Sequence, residues 1–160
     1  MRSNIRHLSL AALILTLSLF EIRTVYGQSK DPFIGKWTLD PDHSQFTPGP
    51  GPTNRTMIFE MKPKGLHNLT DTTNANGGVS TIDYTAKFDG ADYPVEGTAI
   101  DTVSLKRVDA NTIERTGKVR GMPSESCTMK VSPNGKTLTE TIKGSYHGTN
   151  YSSTQVYNRQ

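Results

Sequence analysis

After residue 27 the chain shows no helical period. Apolar and β-branched residues alternate with polar ones in short runs, and Gly, Pro, Asn and Asp separate the runs. A period of two sends alternate side chains to opposite faces of a strand. Such runs lie at residues 37–39, 56–62, 66–73, 80–88, 93–95, 102–108, 112–119, 125–131, 137–143 and 151–158. Asp89-Gly90, Asp109-Ala110-Asn111 and Ser132-Pro133-Asn134-Gly135 stand between runs. These residue types tolerate the backbone conformations that tight hairpins need. Consecutive strands usually pair, and a closed sheet leaves no exposed edge. The expectation is an all-β chain: an up-and-down antiparallel barrel of about ten short strands. Residues 40–53 read as a loop stiffened by Pro48-Gly49-Pro50-Gly51-Pro52. Proline removes donors and fixes φ, so no helix is expected there.

The first 27 residues read as an export signal. Arg2 and Arg6 precede an apolar run at 8–20, and Val25-Tyr26-Gly27 offers small or modest residues at the −3 and −1 positions. A run of 13 residues falls short of the roughly 20 that cross a bilayer. Cleavage is therefore expected before Gln28, leaving residues 28–160 as a single domain with no membrane span. No Cys follows the apolar run, so a lipoprotein anchor is not indicated and the protein is expected to be secreted or periplasmic. The chain holds 18 Lys and Arg against 15 Asp and Glu. Without Arg2, Arg6, Arg23 and Glu21, 15 basic and 14 acidic residues remain, a net charge of +1. That balance does not support a nucleic-acid partner. Cys127 is the only cysteine. An internal disulfide is therefore impossible, and Cys127 reads as a small core residue. Asn54, Asn68 and Asn150 each begin an Asn-x-Ser/Thr triplet, which matters only in a eukaryotic secretory pathway.

Phe33-Ile34-Gly35-Lys36-Trp37 opens the first run. An indole at that place is suited to plug one end of a barrel, with a late arginine, Arg159, over its ring. Gly35, Trp37 and Arg159 are thus assigned to barrel closure. On these residues, and on Thr154-Gln155-Val156-Tyr157-Asn158-Arg159 at the other end, the chain resembles the calycins, the superfamily of lipocalins and fatty-acid-binding proteins. It is more closely similar to small secreted bacterial proteins of lipocalin-like type. The shared features are Trp37-Thr38-Leu39-Asp40, Ser44-Gln45-Phe46, Phe88-Asp89-Gly90-Ala91-Asp92-Tyr93-Pro94-Val95, Asp101-Thr102-Val103-Ser104-Leu105-Lys106-Arg107 and Ser132-Pro133-Asn134-Gly135-Lys136-Thr137-Leu138. The resemblance implies a barrel that holds a small apolar or amphipathic molecule. Fatty-acid-binding proteins grip a carboxylate with a Thr-Arg-x-Tyr strand; here Gln155 stands at the Arg place and only Tyr157 matches. They also carry lid helices after the first strand, where this chain has its Pro/Gly loop.

Candidate binding residues come from the strand faces. Ile113, Arg115, Gly117 and Val119 share one face; Leu138, Glu140 and Ile142 share another. If the apolar residues point inward, Arg115 and Glu140 do so as well, and a buried charge needs a partner or a ligand. One reading makes Arg115 the receiver of an acidic or polar ligand group, with Glu140, Gln155 and Tyr157 around it. The other makes Arg115 and Glu140 a structural ion pair. Tyr84 and Phe88 share a face with Ile82 and Ala86, and either line a pocket or fill the core. His43, His67 and His147 fall in no metal spacing, and no nucleophile elbow, Cys/His pairing or phosphate loop is present. No metal, no cofactor and no catalytic residue is expected. The chain is read as a monomeric binding protein. A ligand-free envelope module and an enzyme in a calycin-like barrel are the alternatives, and a packed interior would favour the module.

Overall fold

A computed structural model describes residues 31–160. The expected signal, residues 1–27, lies outside the described residues. Ten strands follow: β1 (Gly35–Thr47), β2 (Asn54–Lys62), β3 (Gly65–Thr73), β4 (Val79–Ala86), β5 (Tyr93–Glu96), β6 (Thr102–Asp109), β7 (Thr112–Val119), β8 (Met122–Val131), β9 (Thr137–Tyr146) and β10 (Thr149–Arg159). Each pairs antiparallel with the next, and β1 closes on β10 to complete a barrel in strand order. The fold is the expected all-β, up-and-down barrel. No helix occurs among the described residues, and none there is long and apolar enough to cross a membrane.

The first strand differs from its expected extent. It runs on past Leu39 to Thr47, with a register shift between Asp40 and Gln45 where it pairs with β10. Asp40-Pro41-Asp42 looks like a loop because Pro lacks a donor and Asp favours turns. Side chains replace the missing ladder bonds. The Asp40 carboxylate accepts the His43 amide at 3.3 Å and meets the His43 ring at 2.9 Å. The Ser44 hydroxyl donates to the Asp40 carbonyl at 2.6 Å and accepts the Val156 amide at 2.9 Å. The irregularity is a bulge held by side chains, and such bulges re-aim an edge without ending it. The true loop is 48–53. It stands where the calycin resemblance would put lid helices.

One end of the barrel is packed shut. Phe33, Trp37, Phe59, Leu66, Leu105, Ile113, Val131 and Leu138 are fully buried there. The Trp37 ring nitrogen donates to the Phe33 carbonyl at 2.9 Å. The Arg159 guanidinium carbon lies 4.1 Å from the centre of the Trp37 ring. Its nitrogens donate to the carbonyls of Ile34 at 2.8 Å, Gly135 at 2.5 Å and Pro32. Gly35 has φ +137°, and a Cβ there would stand 2.9 Å from the Arg159 guanidinium. Glycine is thus required twice over, by conformation and by the approach of Arg159. Gly35, Trp37 and Arg159 meet at this end. Arg107 joins them, paired with Asp31 at 2.5 Å and lying over the rings of Phe33 and Phe88 at 5.3 and 4.3 Å.

Phe88 therefore belongs to the closed end. The expectation that it lines a pocket with Tyr84 is corrected. Alternation continues through Phe88 in the sequence, but β4 ends at Ala86, and Asp89 forms an isolated bridge with Lys106. The chain leaves the β4 ladder before Phe88, and its ring packs under Arg107.

Candidate functional site

Inward-facing residues change character along the barrel. Toward the closed end they are apolar. Toward the other end the inner faces carry Arg55, Asn68, Thr70, Tyr84, Arg115, Glu125, Glu140, Tyr151 and Gln155, interleaved with Met57, Ile82, Val103, Met129 and Ile142. Polar side chains cannot be packed without partners as hydrocarbon can, and this half of the barrel encloses a cavity of about 550 Å³. Its rim comes from the 48–53 loop, Asn74 to Asn76 after β3, Thr98 and Ile100 before β6, and the start of β10. The size falls within the usual range for small-molecule pockets.

A connected polar network runs along the wall. Arg115 on β7 pairs with Glu125 on β8 at 2.7 Å and lies 3.8 Å from Glu140 on β9. Glu125 also accepts the Tyr151 hydroxyl at 2.7 Å. That reach depends on Gly144, opposite Tyr151 on β9, where a Cβ would stand 2.4 Å from the Tyr151 ring. Glu140 accepts the Cys127 thiol at 3.3 Å. The Tyr157 hydroxyl lies 3.2 Å from Glu140 and 2.7 Å from the Gln155 side-chain oxygen, so its single proton serves one of them at a time. The Gln155 oxygen also accepts Arg55 at 2.7 Å, and Arg55 donates through Nε to Thr72 at 3.0 Å. Gln155 in turn donates to Ser153 at 2.9 Å.

The charges along this wall balance, with Arg55 and Arg115 against Glu125 and Glu140. Burial works against the charge on Arg115, but the carboxylates of Glu125 and Glu140 beside it hold the guanidinium well above its ordinary range. Burial, reinforced by Glu140, pushes the Cys127 thiol and the Tyr157 hydroxyl well up, so both stay protonated. Burial raises Tyr151, and its bond to Glu125 adds to the shift. Among the described residues no group of His, Cys, Asp and Glu is placed to hold a metal ion.

Arg115, Glu140, Gln155 and Tyr84 line the cavity. Tyr157 is fully buried behind it, bracing Glu140 and Gln155. Arg115 meets Glu125 more closely than Glu140, and Glu125 was absent from the sequence-based set. Its signal was present, since Glu125 shares a face with Cys127, Met129 and Val131. Arg55 was missed too, one alternation before Met57 and Phe59. It contacts two neutral acceptors, and no carboxylate pairs with it among the described residues. Asn68, Thr70 and Thr72 are buried on the inner face of β3. Their polar character hides an inward face from any hydrophobic period. Asn68 is 3% exposed, which removes it as a glycan acceptor in the folded protein.

The barrel is similar to the solved zebrafish ileal bile acid-binding protein in complex with cholic acid, with a TM-score of 0.50 and 12% sequence identity. The match covers 81% of this chain and 99% of that one. At such identity the likeness is one of fold. No family model matches the chain. No curated protein matches it either. The fold is thus a closed, ten-stranded antiparallel barrel like that of the bile acid-binding protein.

Proposed function

We propose that this chain is exported and that its barrel holds a small amphipathic molecule, bound non-covalently. The observation that carries the reading is the 550 Å³ cavity, lined by apolar and polar groups together. A barrel serving only as a packed module would fill that space with its own side chains. The fold is shared with a protein solved with cholic acid, which fits a ligand-holding role. An apolar body would lie against Met57, Ile82, Val103 and Met129. An acidic end group would go to Arg55, which among the described residues bonds neutral side chains, in preference to Arg115, which Glu125 already engages.

Titration with anilinonaphthalene sulfonate, an acidic apolar probe, tests this. Wild type is expected to bind it with enhanced fluorescence. Arg55→Met is expected to weaken it by about ten- to hundredfold, the worth of one charge-assisted hydrogen bond. A neutral naphthalene probe should be little affected by that change. Absence of binding to wild type would overturn the reading; equal effects on the two probes would remove Arg55 from it. Mass spectrometry of protein from its own source is expected to find a chain beginning at Gln28.

A further inference from the structure

Two polar side chains of the cavity wall take no part in the network. Asn68 on β3 and Tyr84 on β4 are directly paired across the two strands, so they project to the same face at the same level. Both line the cavity, at 3% and 5% exposure. The Asn68 side-chain oxygen accepts Thr70 at 2.9 Å, but its amide nitrogen is buried without a hydrogen-bond partner. The Tyr84 hydroxyl makes no hydrogen bond among the described residues. Buried polar groups are paired in the great majority of cases, and leaving one unpaired is costly. The Asn68 amide nitrogen has no open surface, so of the two it is the Tyr84 hydroxyl, unpaired on a cavity-lining side chain, that calls for an acceptor there.

The surroundings decide what kind of acceptor. Burial raises the Tyr84 hydroxyl far above its ordinary range, so it remains a donor at any physiological pH. The charges around it are Arg115, Glu140 and Glu125, a net of one negative charge. A carboxylate or phosphate placed beside it would face two carboxylates, with the one nearby guanidinium already engaged by Glu125. A neutral oxygen escapes that repulsion. We propose that the Tyr84 hydroxyl is an uncharged donor subsite that receives a carbonyl oxygen of the bound molecule, as in a ketone, aldehyde, ester or amide. The subsite rests on the ligand-holding reading and narrows it. The molecule carries a neutral oxygen deep in the cavity, apart from any acidic end at Arg55.

Two probes of one shape separate the claims: the neutral naphthyl ketone propionyl-dimethylaminonaphthalene, and its propyl analogue with a methylene in place of the carbonyl. Both are titrated into wild type and Tyr84→Phe. Tyr84→Phe keeps the ring and its packing. That change is expected to weaken the ketone by about three- to tenfold, as the loss of one hydrogen bond predicts, and to leave the propyl analogue unchanged. Emission of the bound ketone, which moves to longer wavelength when its carbonyl accepts a hydrogen bond, should shift to shorter wavelength in Tyr84→Phe. Equal effects on both probes, or no effect on the ketone, would overturn the subsite while leaving the cavity reading intact. Failure of wild type to bind either probe would overturn the cavity reading itself, and the subsite with it.

Discussion

Arg115 shows how a residue can be placed correctly and still change its meaning. Its inward position follows from alternation with Ile113 and Gly117 on β7. A guanidinium in such a place is either a ligand receiver or half of an ion pair, and the partner's distance decides. Glu125 at 2.7 Å, itself held by Tyr151, occupies one edge of the fork. Removing Arg115 would leave two carboxylates facing each other across a poorly hydrated wall. Loss of one partner from a fully buried pair costs about 3–5 kcal/mol, and the open cavity tempers that toward the lower end. Arg115→Met is therefore expected to lower stability by about 3 kcal/mol on that scale. Adding Glu125→Gln should recover much of the loss, because it removes the stranded charge. Urea denaturation of the two variants checks this. An unchanged midpoint in the single variant, or no recovery in the double, would show that the pair bears no structural load.

Among the elements, β1 and β3 mark where sequence pattern and structure part. β7 and the hairpin turns at Asp109 to Asn111 and Ser132 to Gly135 were legible, because strand alternation and turn chemistry agree there. The second half of β1 was not, because pairing with β10 breaks after Asp40 and resumes only at Gln45, with the side chains of Asp40 and Ser44 bridging the gap. Ser44→Ala tests that account. It strands the Val156 amide that the hydroxyl accepts, at a cost of about 1 kcal/mol. Amide exchange at Val156 and at Gln45 to Thr47 is expected to quicken, with β7 and β8 unaffected. Unchanged exchange would mean that the bulge closes without Ser44. The inner face of β3 was illegible for another reason. Leu66, Asn68, Thr70 and Thr72 alternate inward, yet three of the four are polar, which is tolerable only beside a hollow interior. Arg55 was missed because the run was read as starting at Thr56, whereas β2 begins at Asn54. The groups that define the cavity are thus the ones that a hydrophobic period passes over.

The whole barrel couples its interior to pH on the alkaline side. Burial raises the Cys127 thiol well above 9.0 and the Tyr157 and Tyr84 hydroxyls well above 10.0, their ordinary values. These values govern the unfolded chain, so above pH 9 the unfolded state gives up protons that the folded barrel keeps. Stability changes with pH as the difference in bound protons, unfolded minus folded, and that difference is then negative. The contribution is complete below pH 9 and is lost as pH rises. Cys127 acts first, at about 1.4 kcal/mol per pH unit for one proton, and the tyrosines join above pH 10. Cys127→Ala is expected to flatten the slope between pH 9 and 10 without removing the steeper fall beyond it. Urea midpoints measured from about pH 8 to 11 on both proteins would show this. A wild-type midpoint that stays level across the range would mean that these groups titrate in the barrel as freely as in water. The polar wall would then be hydrated, with no protons held by burial.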